Sequence, residues 1–414
     1  MTGNRCAALL HGIRQLRKPP DLAALRAAPT PEELARLAII PAARNLGISA
    51  AFLPADLRAE FTAALLACRV LDAYEDLVER SAAGAAVLTA VAYLTGDVGT
   101  APPPPPAVVR RDSEAVDLAL AERIRDVRAL LAALPAAGQR RAAAMLTDVA
   151  AVMAHNADAP LPRTVYARGV LGRVVHYVCQ LIIEGDGTPS KELAECLGVL
   201  AQLANDLRDD ELELYNVADR DELERAVMVR LLAPALGGFA LLEQIPANTP
   251  RRGARMAMAH MVITTTAFFC TTVGAPAAYR RRWRLPAAVL AAQSPRRWAV
   301  MLGRVRRCTD GAIRAMLDGS PPLLADTNLV TRSALPVPSL APLIVDTMAD
   351  FVQRLPMQPL TGELPLPQVR RMMFADHLAF GAVEWLRPAD AAGLAALAAH
   401  FQSAAVATAR GDRT

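Results

Sequence analysis

Aromatic residues are scarce in this chain, and their scarcity limits the folds to expect. Only 4% of the 414 residues are Phe, Trp or Tyr, whereas 53% are hydrophobic, mostly alanine, leucine and valine. Strands draw on aromatic and β-branched side chains, while alanine and leucine favour helices. We therefore expect an all-α fold rather than a β-sandwich.

Several motifs that would define an enzyme class are also missing. The chain contains no GxGxxG or Walker pattern, and so no glycine-rich phosphate loop. None of the six histidines follows a glutamate by three residues, as a di-iron carboxylate bundle requires. Zinc would need clustered His and Cys, which are absent as well. The six cysteines form no CxxC pair, which predicts a reducing, cytoplasmic setting.

One uncharged segment, 256–279, has the length of a membrane span. It contains five threonines, His260 and Pro276, and arginines flank it on both sides. A span normally carries its basic residues on one side. We therefore interpret this segment as a buried helix that lines an apolar cavity.

Two proline-rich stretches divide the chain, because consecutive prolines cannot join a helix interior. The run 102–106 predicts an exposed loop between helices. The predicted domains are a lead-in, a helical domain, a proline-rich linker and a helical C-terminal extension, at 1–37, 38–320, 321–342 and 343–414 respectively.

An acidic patch lies on the first helix of interest. Asp72, Glu75, Asp76 and Glu79 are spaced i, i+3, i+4 and i+7, which is one helix face. Repelling carboxylates on adjacent turns cost stability unless water or a cation screens them. A solvated face and a metal site are both open readings of this pattern.

A second acidic patch carries a more mixed set of oxygen donors. Gln202, Asn205, Asp206, Asp209 and Glu213 are expected to share a helix face. Hard cations take neutral oxygens alongside carboxylates, and Mg²⁺ keeps part of its water and is completed by substrate phosphates. Oxygen-only ligands on helices thus favour Mg²⁺.

Four segments, in this order, resemble motifs of the squalene and phytoene synthase family, and the resemblance covers about residues 38–318. They are Ala43-Arg44-Asn-Leu46 with Phe52-Leu-Pro54, Arg69-Val-Leu-Asp72-Ala-Tyr-Glu75-Asp76, Tyr166-Ala-Arg-Gly-Val170-Leu-Gly172, and Gln202-Leu-Ala-Asn205-Asp-Leu-Arg208-Asp209.

The resemblance implies a class I isoprenoid synthase bundle with a central apolar cavity and both acidic helices at its mouth. It also implies residue roles. Mg²⁺ would be held by Asp72, Glu75, Asp76, Asn205, Asp209 and Glu213. Diphosphate would be bound by Arg44, Arg69 and Arg208, with Gln202 and Asp206 in support. Catalysis would involve Tyr166, near the reacting carbons, and Asp72, Asp76 and Asp209.

The implied reaction is head-to-head condensation of two C15 or C20 prenyl diphosphates, farnesyl or geranylgeranyl, with loss of diphosphate. The chain departs from the family at Ala43, Leu46 and Glu213. Glu213 gives a spacing that also resembles the metal motif of class I terpene cyclases. A cyclase acting on one prenyl diphosphate is therefore the first alternative, and a non-catalytic scaffold on the same fold is the second.

No segment matches the part of squalene synthases that binds NADPH, so we do not expect that cofactor. We expect no nucleic-acid partner, and either a monomer or a homodimer. A cytoplasmic location is expected, and peripheral contact with the inner face of the membrane is left open because substrates and products are apolar. No basic amphipathic helix stands out in the sequence as an anchor.

Overall fold

The computed structural model describes residues 19–106, 109, 111–161, 163–183, 191–215, 251–319 and individual positions between 218 and 241. Throughout these residues the ordered elements are helices and none is a strand, so the all-α prediction is confirmed. The predicted linker and C-terminal extension, 321–414, lie outside the described residues. The central apolar cavity stays a prediction.

The first half of the described chain forms seven helices, and the longest connection between them, 96–111, includes the proline run. They are α1 (Leu22–Arg26), α2 (Pro31–Ala50), α3 (Ala55–Asp76), α4 (Arg80–Thr95), α5 (Asp112–Glu122), α6 (Ile124–Ala132) and α7 (Ala136–Asp158).

The second half of the described chain is also helical and contains a short π-helical segment, Arg168–Gly172. Its helices are α8 (Arg163–Ala167), α9 (Arg173–Ile182), α10 (Lys191–Arg208), α11 (Leu212–Tyr215), α12 (Arg252–Thr272), α13 (Arg281–Ala291) and α14 (Pro295–Gly319).

Local sequence explains several helix ends. Thr30 accepts a hydrogen bond from the Glu33 amide at 3.2 Å, and Pro31 follows it at the first helical position of α2. Both choices satisfy the orphan amides of a helix start. At the C-terminus of α4, Gly96 has φ +95°, the left-handed conformation that ends many helices.

Helix α3 is the centre of the bundle. It packs against α2, α4, α5, α6 and α7, and the residues from Glu60 to Cys68 are buried without interruption. A helix that is apolar on all sides belongs in a core rather than at a surface. Its C-terminal turn emerges from this core, which is where the first acidic motif lies.

Helix α2 is kinked at Arg44, whose backbone has φ +47° and ψ −114°. An L residue pays a steric cost in this region. Past the kink the chain folds back tightly, so that a Cβ on Gly47 would collide with the carbonyl oxygen of Ile39. The kink turns Arg44 toward solvent at the end of the bundle that carries the acidic residues.

Helix α10 lies unusually close to the π-helical segment. A Cβ on Gly198 would collide with the backbone of Gly172. Two glycines in contact let the two backbones approach without intervening side chains. This contact fixes the distance between the chain that follows Tyr166 and the helix that carries the second acidic motif.

The uncharged segment 256–279 falls mostly in α12, which packs against α2, α10, α13 and α14. Most of its central residues are buried, including His260, whose Nδ1 lies 2.8 Å from the Ser49 hydroxyl. Burial and the charge of Arg284 lower the pKa of His260 to about 4, so it is neutral near pH 7. Among the described helices, none combines the length and the apolar character needed to cross a bilayer.

Part of the predicted lead-in contributes to the core. Leu25 and Leu34 are buried at 2% and 0% exposure, in α1 and in the first turn of α2. The helical packing therefore begins by residue 22. The domain boundaries themselves stay predictions.

We expect Gly198→Ala to destabilise the protein by about 1–3 kcal/mol, because the added methyl group must push two backbones apart. The matched control is Gly303→Ala in α14, where a Cβ would meet only the Arg307 guanidinium at 3.9 Å. Replacing that helical glycine is expected to stabilise by roughly 0.5–1 kcal/mol. Urea unfolding followed by circular dichroism measures the free energy of unfolding of both variants. Equal changes in the two variants would contradict the close approach of α10 to the π-helical segment.

Candidate functional site

The first acidic motif lies at the C-terminal end of a helix, a position that is unfavourable for carboxylates. Asp72, Glu75 and Asp76 occupy the last turn of α3, which ends at Asp76. A helix C-terminus carries partial negative charge and prefers basic side chains. Three carboxylates there oppose both the helix dipole and one another, so local helix stability does not explain them. Glu79 lies beyond this helix, directly before α4.

Arg69 neutralises part of this charge. Its guanidinium contacts Asp72 at 2.6 Å and also binds both carboxylate oxygens of Asp117 on α5. Burial lowers the pKa of Arg69, but the two aspartates more than reverse this, so Arg69 stays charged. Predicted as a diphosphate contact, it is placed instead between two carboxylates.

Glu75 is held from the opposite side. The Tyr166 hydroxyl donates to one of its carboxylate oxygens at 2.6 Å, and the Asn156 amide approaches the other at 3.4 Å. Burial, together with Asp76 and Asp72, raises the pKa of Glu75 to about 7 against the hydrogen bond from Tyr166. Burial also raises the pKa of Tyr166 well above its usual value, so this hydroxyl keeps its proton.

Asp76 is the least neutralised carboxylate of the motif. It is exposed, and its carboxylate makes no hydrogen bond or ion pair with the described part of the chain. The surrounding helices displace water around it and Asp72 lies nearby; together these raise its pKa to about 7, against weaker opposite effects of Arg69 and Arg163.

The second acidic motif is split between an inward and an outward carboxylate. Asp206 is 2% exposed and binds Arg163 through two bonds of 2.7 and 2.8 Å. Gln202 and Tyr215 donate to it at 3.0 and 2.8 Å. Asp206 and Gln202, predicted to support the site, thus form a buried polar cluster at the end of α10.

Asp209 is the outward carboxylate. Arg208 binds it at 2.8 and 2.5 Å, and Arg208 also lies 5.7 Å from the centre of the Phe268 ring. Partial burial raises the pKa of Asp209, but the hydrogen bonds from Arg208 and the charges of Arg208, Arg44 and Arg111 more than offset this and lower it. Asp209 is therefore ionised and surrounded by guanidinium groups.

The expectation that residues 202–213 share one helix face is wrong. Helix α10 ends at Arg208, and Asp210 follows with φ +58°, a left-handed conformation that stops the helix. Glu213 lies on the separate helix α11 and is exposed. Asn205 remains on the last turn of α10 and is half-buried.

Helix α8 connects the two motifs. Its Tyr166 hydroxyl binds Glu75 at the end of α3, and its Arg163 binds Asp206 at the end of α10. The Arg163 guanidinium also stacks on the Tyr166 ring, 4.6 Å from its centre. The chain of contacts Glu75–Tyr166–Arg163–Asp206 therefore brings both predicted acidic clusters into one network.

Three residues in and around the site were missed in the sequence, and of these only Arg163 belongs to the network. Arg163 lies one turn before Tyr166, a spacing that was available as a signal. Asp117, the partner of Arg69, is a single acid within a buried apolar run of α5, which indicates a hidden cationic partner. Arg111 pairs with Glu211 at 2.7 Å, and no sequence pattern singles it out.

No group of three or more His, Cys, Asp or Glu side chains among the described residues is arranged to hold a metal ion. The chemistry of the donors nonetheless fits Mg²⁺. Asp72, Glu75 and Asp76 all have raised pKa values, chiefly because the surrounding protein displaces water from their carboxylates, and Arg69 is the cation in direct contact with this group. A hard divalent cation is what this excess of carboxylate oxygens would bind.

Comparisons with known proteins returned no significant match to a family model, to a curated protein or to a solved structure.

We expect Asp76→Asn to stabilise the cation-free protein at pH 8 and not at pH 4. An aspartate in an unfolded chain has a pKa near 3.9, whereas Asp76 has a pKa of about 7 in the folded protein. Its contribution to stability is therefore present below about pH 4 and is lost as the pH rises toward 7. The measurement is Tm against pH for the variant and the wild type.

Asp158→Asn is the matched control, because Asp158 is also an exposed aspartate at the last residue of a helix. If Asp158→Asn and Asp76→Asn change Tm by nearly the same amount at each pH, the helix end alone, and not the neighbouring carboxylates, destabilises the ionised aspartate.

We expect Arg163→Met to cost about 3–5 kcal/mol, because it leaves Asp206 buried and unpaired. Adding Asp206→Asn should recover most of this loss, since the remaining amide carries no charge. The exposed pair Arg26–Glu122 serves as the control, and Arg26→Met there should cost less than about 1 kcal/mol. The free energy of unfolding in guanidinium chloride is measured for the wild type and these three variants. If the double variant is no more stable than Arg163→Met, the unpaired charge on Asp206 is not the cause of the loss.

Proposed function

We propose that the chain is a Mg²⁺-dependent prenyltransferase that condenses two prenyl diphosphates head to head with loss of diphosphate. The observation that carries this proposal is the network Glu75–Tyr166–Arg163–Asp206, which joins two carboxylate clusters at one end of a helical bundle. Farnesyl and geranylgeranyl diphosphate are the proposed substrates, in a cytoplasmic setting.

Cation binding is supported by the carboxylates at the end of α3. Asp72, Glu75 and Asp76 would hold Mg²⁺ on one side, and Asn205, Asp209 and Glu213 on the other. When bound, Mg²⁺ supplies positive charge that stabilises the departing diphosphate. Asp76 is the best placed of these donors, since its carboxylate has no described partner to give up.

Diphosphate binding is supported by the guanidinium groups around Asp209. Arg208 binds that carboxylate directly, and the charges of Arg44 and Arg111 also lower its pKa. Guanidinium groups bind phosphate oxygens bidentately. We assign the diphosphate to Arg44, Arg111 and Arg208, and assign Arg69 the separate role of orienting Asp72.

Tyr166 is proposed to act through its hydroxyl group, which keeps its proton. Its hydroxyl is buried and donates to Glu75, whose pKa of about 7 allows it to exchange a proton near neutral pH. The pair can therefore hold or release a proton next to the reacting carbons while the surrounding apolar residues exclude water.

A class I terpene cyclase on the same scaffold is the alternative that a sequence feature favours, namely Glu213 in place of the usual aspartate. Both enzymes would ionise an allylic diphosphate with the same residues. They differ in product, which is a C30 or C40 chain for head-to-head coupling and a C15 or C20 ring for a cyclase.

The test is incubation of the purified full chain with farnesyl or geranylgeranyl diphosphate, with and without Mg²⁺, followed by diphosphate-release assay and product mass spectrometry. Asp76→Ala and Asp209→Ala should each reduce release by roughly 10²-fold or more, as removal of transition-state charge stabilisation does. Asp158→Ala, outside the network, should retain wild-type release.

Mg²⁺-dependent release with a C30 or C40 product supports the proposal, and a cyclic C15 or C20 product replaces it with the cyclase. If the folded wild type releases no diphosphate from either substrate, and the three folded variants are equally inactive, the result would support the non-catalytic scaffold.

A further inference from the structure

Charge is strongly segregated along this chain. Residues 251–309 contain twelve arginines and no aspartate, glutamate or lysine, although the whole chain has a net charge of only +4. The rest of the chain is therefore net acidic. Helix α13 and the first turns of α14 lie within this basic region.

Large apolar side chains are exposed in the same region. Trp283 and Leu290 on α13 are 55% and 51% exposed, and Val300 on α14 is 72% exposed. Trp283 and Leu290 are seven residues apart and so share a helix face. Exposed apolar side chains that are grouped together and bordered by polar residues are typical of interaction surfaces.

The basic and apolar groups meet around one open depression of about 470 Å³. Its lining includes Tyr279, Arg280, Arg282, Trp283, Leu290 and Arg304. Val300 lies one turn before Arg304 on α14 and therefore on the same helix face. We call the six lining residues, with Val300, the α13 surface.

No carboxylate of the described residues neutralises the guanidinium groups of the α13 surface. Arg304 lies 4.8 Å from the centre of the Tyr279 ring, and Arg282 lies 5.9 Å from that of Trp283. Within the described part of the chain, Arg280, Arg282 and Arg304 form no ion pair. The described surface thus presents positive charge supported by aromatic rings.

We propose that the α13 surface docks onto an anionic phospholipid bilayer. Arginines at the rim would bind lipid phosphates, and Trp283 and Leu290 would enter the boundary between headgroups and acyl chains. Tryptophan prefers this boundary, and basic residues gain from the negative potential there. A nucleic acid would also attract the arginines, but it offers nothing apolar to cover Leu290 and Val300.

This inference does not depend on the proposed enzymatic activity, because vesicle binding needs neither substrate nor Mg²⁺. The full chain is mixed with vesicles of phosphatidylcholine alone or of phosphatidylcholine with phosphatidylglycerol, and sedimented. We expect binding to the anionic vesicles, little binding to the neutral ones, and weakening as salt screens the charges.

Two sets of variants test the surface itself. Arg280→Gln/Arg282→Gln should weaken binding by about thirtyfold, since each basic residue near an anionic membrane contributes roughly fivefold. Arg125→Gln/Arg140→Gln removes the same charge from exposed positions on α6 and α7 and should leave binding within about twofold, as these residues lie off the α13 surface.

Tryptophan fluorescence reports on insertion. The chain contains three tryptophans, so all proteins in this experiment carry Trp385→Phe, which leaves Trp283 and Trp298. Trp298 is 4% exposed, so a blue shift on adding anionic vesicles is expected to come from Trp283 and to vanish in Trp283→Phe. Equal loss of binding in both double-arginine variants would overturn the proposal, as would a blue shift that persists in Trp283→Phe. Binding to an oligonucleotide without binding to anionic vesicles would also overturn it.

Discussion

The buried ion pair between Arg163 and Asp206 is the interaction on which the candidate site depends. Burying two charges is costly unless each finds its partner in good geometry. Here two bonds, a tyrosine and a glutamine satisfy Asp206. Because Arg163 shares a five-residue helix with Tyr166, the same pair sets where Tyr166 reaches Glu75. One electrostatic contact thereby positions the ends of two long helices.

The two ends joined in this way differ in electrostatic character. At the end of α3 carboxylates outnumber guanidinium groups, and the pKa values of Glu75 and Asp76 rise to about 7. At the end of α10 the carboxylates of Asp206, Asp209 and Glu211 are each paired with a guanidinium group, and the pKa of Asp209 falls. Negative charge is therefore in excess at the first end and largely neutralised at the second.

Composition and spacing were sufficient to predict the all-α class and the acidic turn of α3. Helical periodicity gives no such signal for α4, whose alanine-rich sequence has no apolar stripe, or for α13, which contains Pro286. Helical periodicity also could not predict that Asp206 is buried, because its partner Arg163 is 43 residues away in the sequence. Arg69 is similar, since Asp117 lies 48 residues along the chain. Long-range pairing decides which acids face solvent, and helical periodicity contains no information about it.

The carboxylates at the end of α3 have a thermodynamic consequence for ligand binding. Near neutral pH the folded protein retains protons on Glu75 and Asp76 that ordinary carboxyl groups would have released. Any divalent cation bound there must displace them. Under the proposed function, cation uptake would therefore be an exchange reaction: it would acidify the solution, its calorimetric heat would depend on the ionisation enthalpy of the buffer, and its affinity would change with pH.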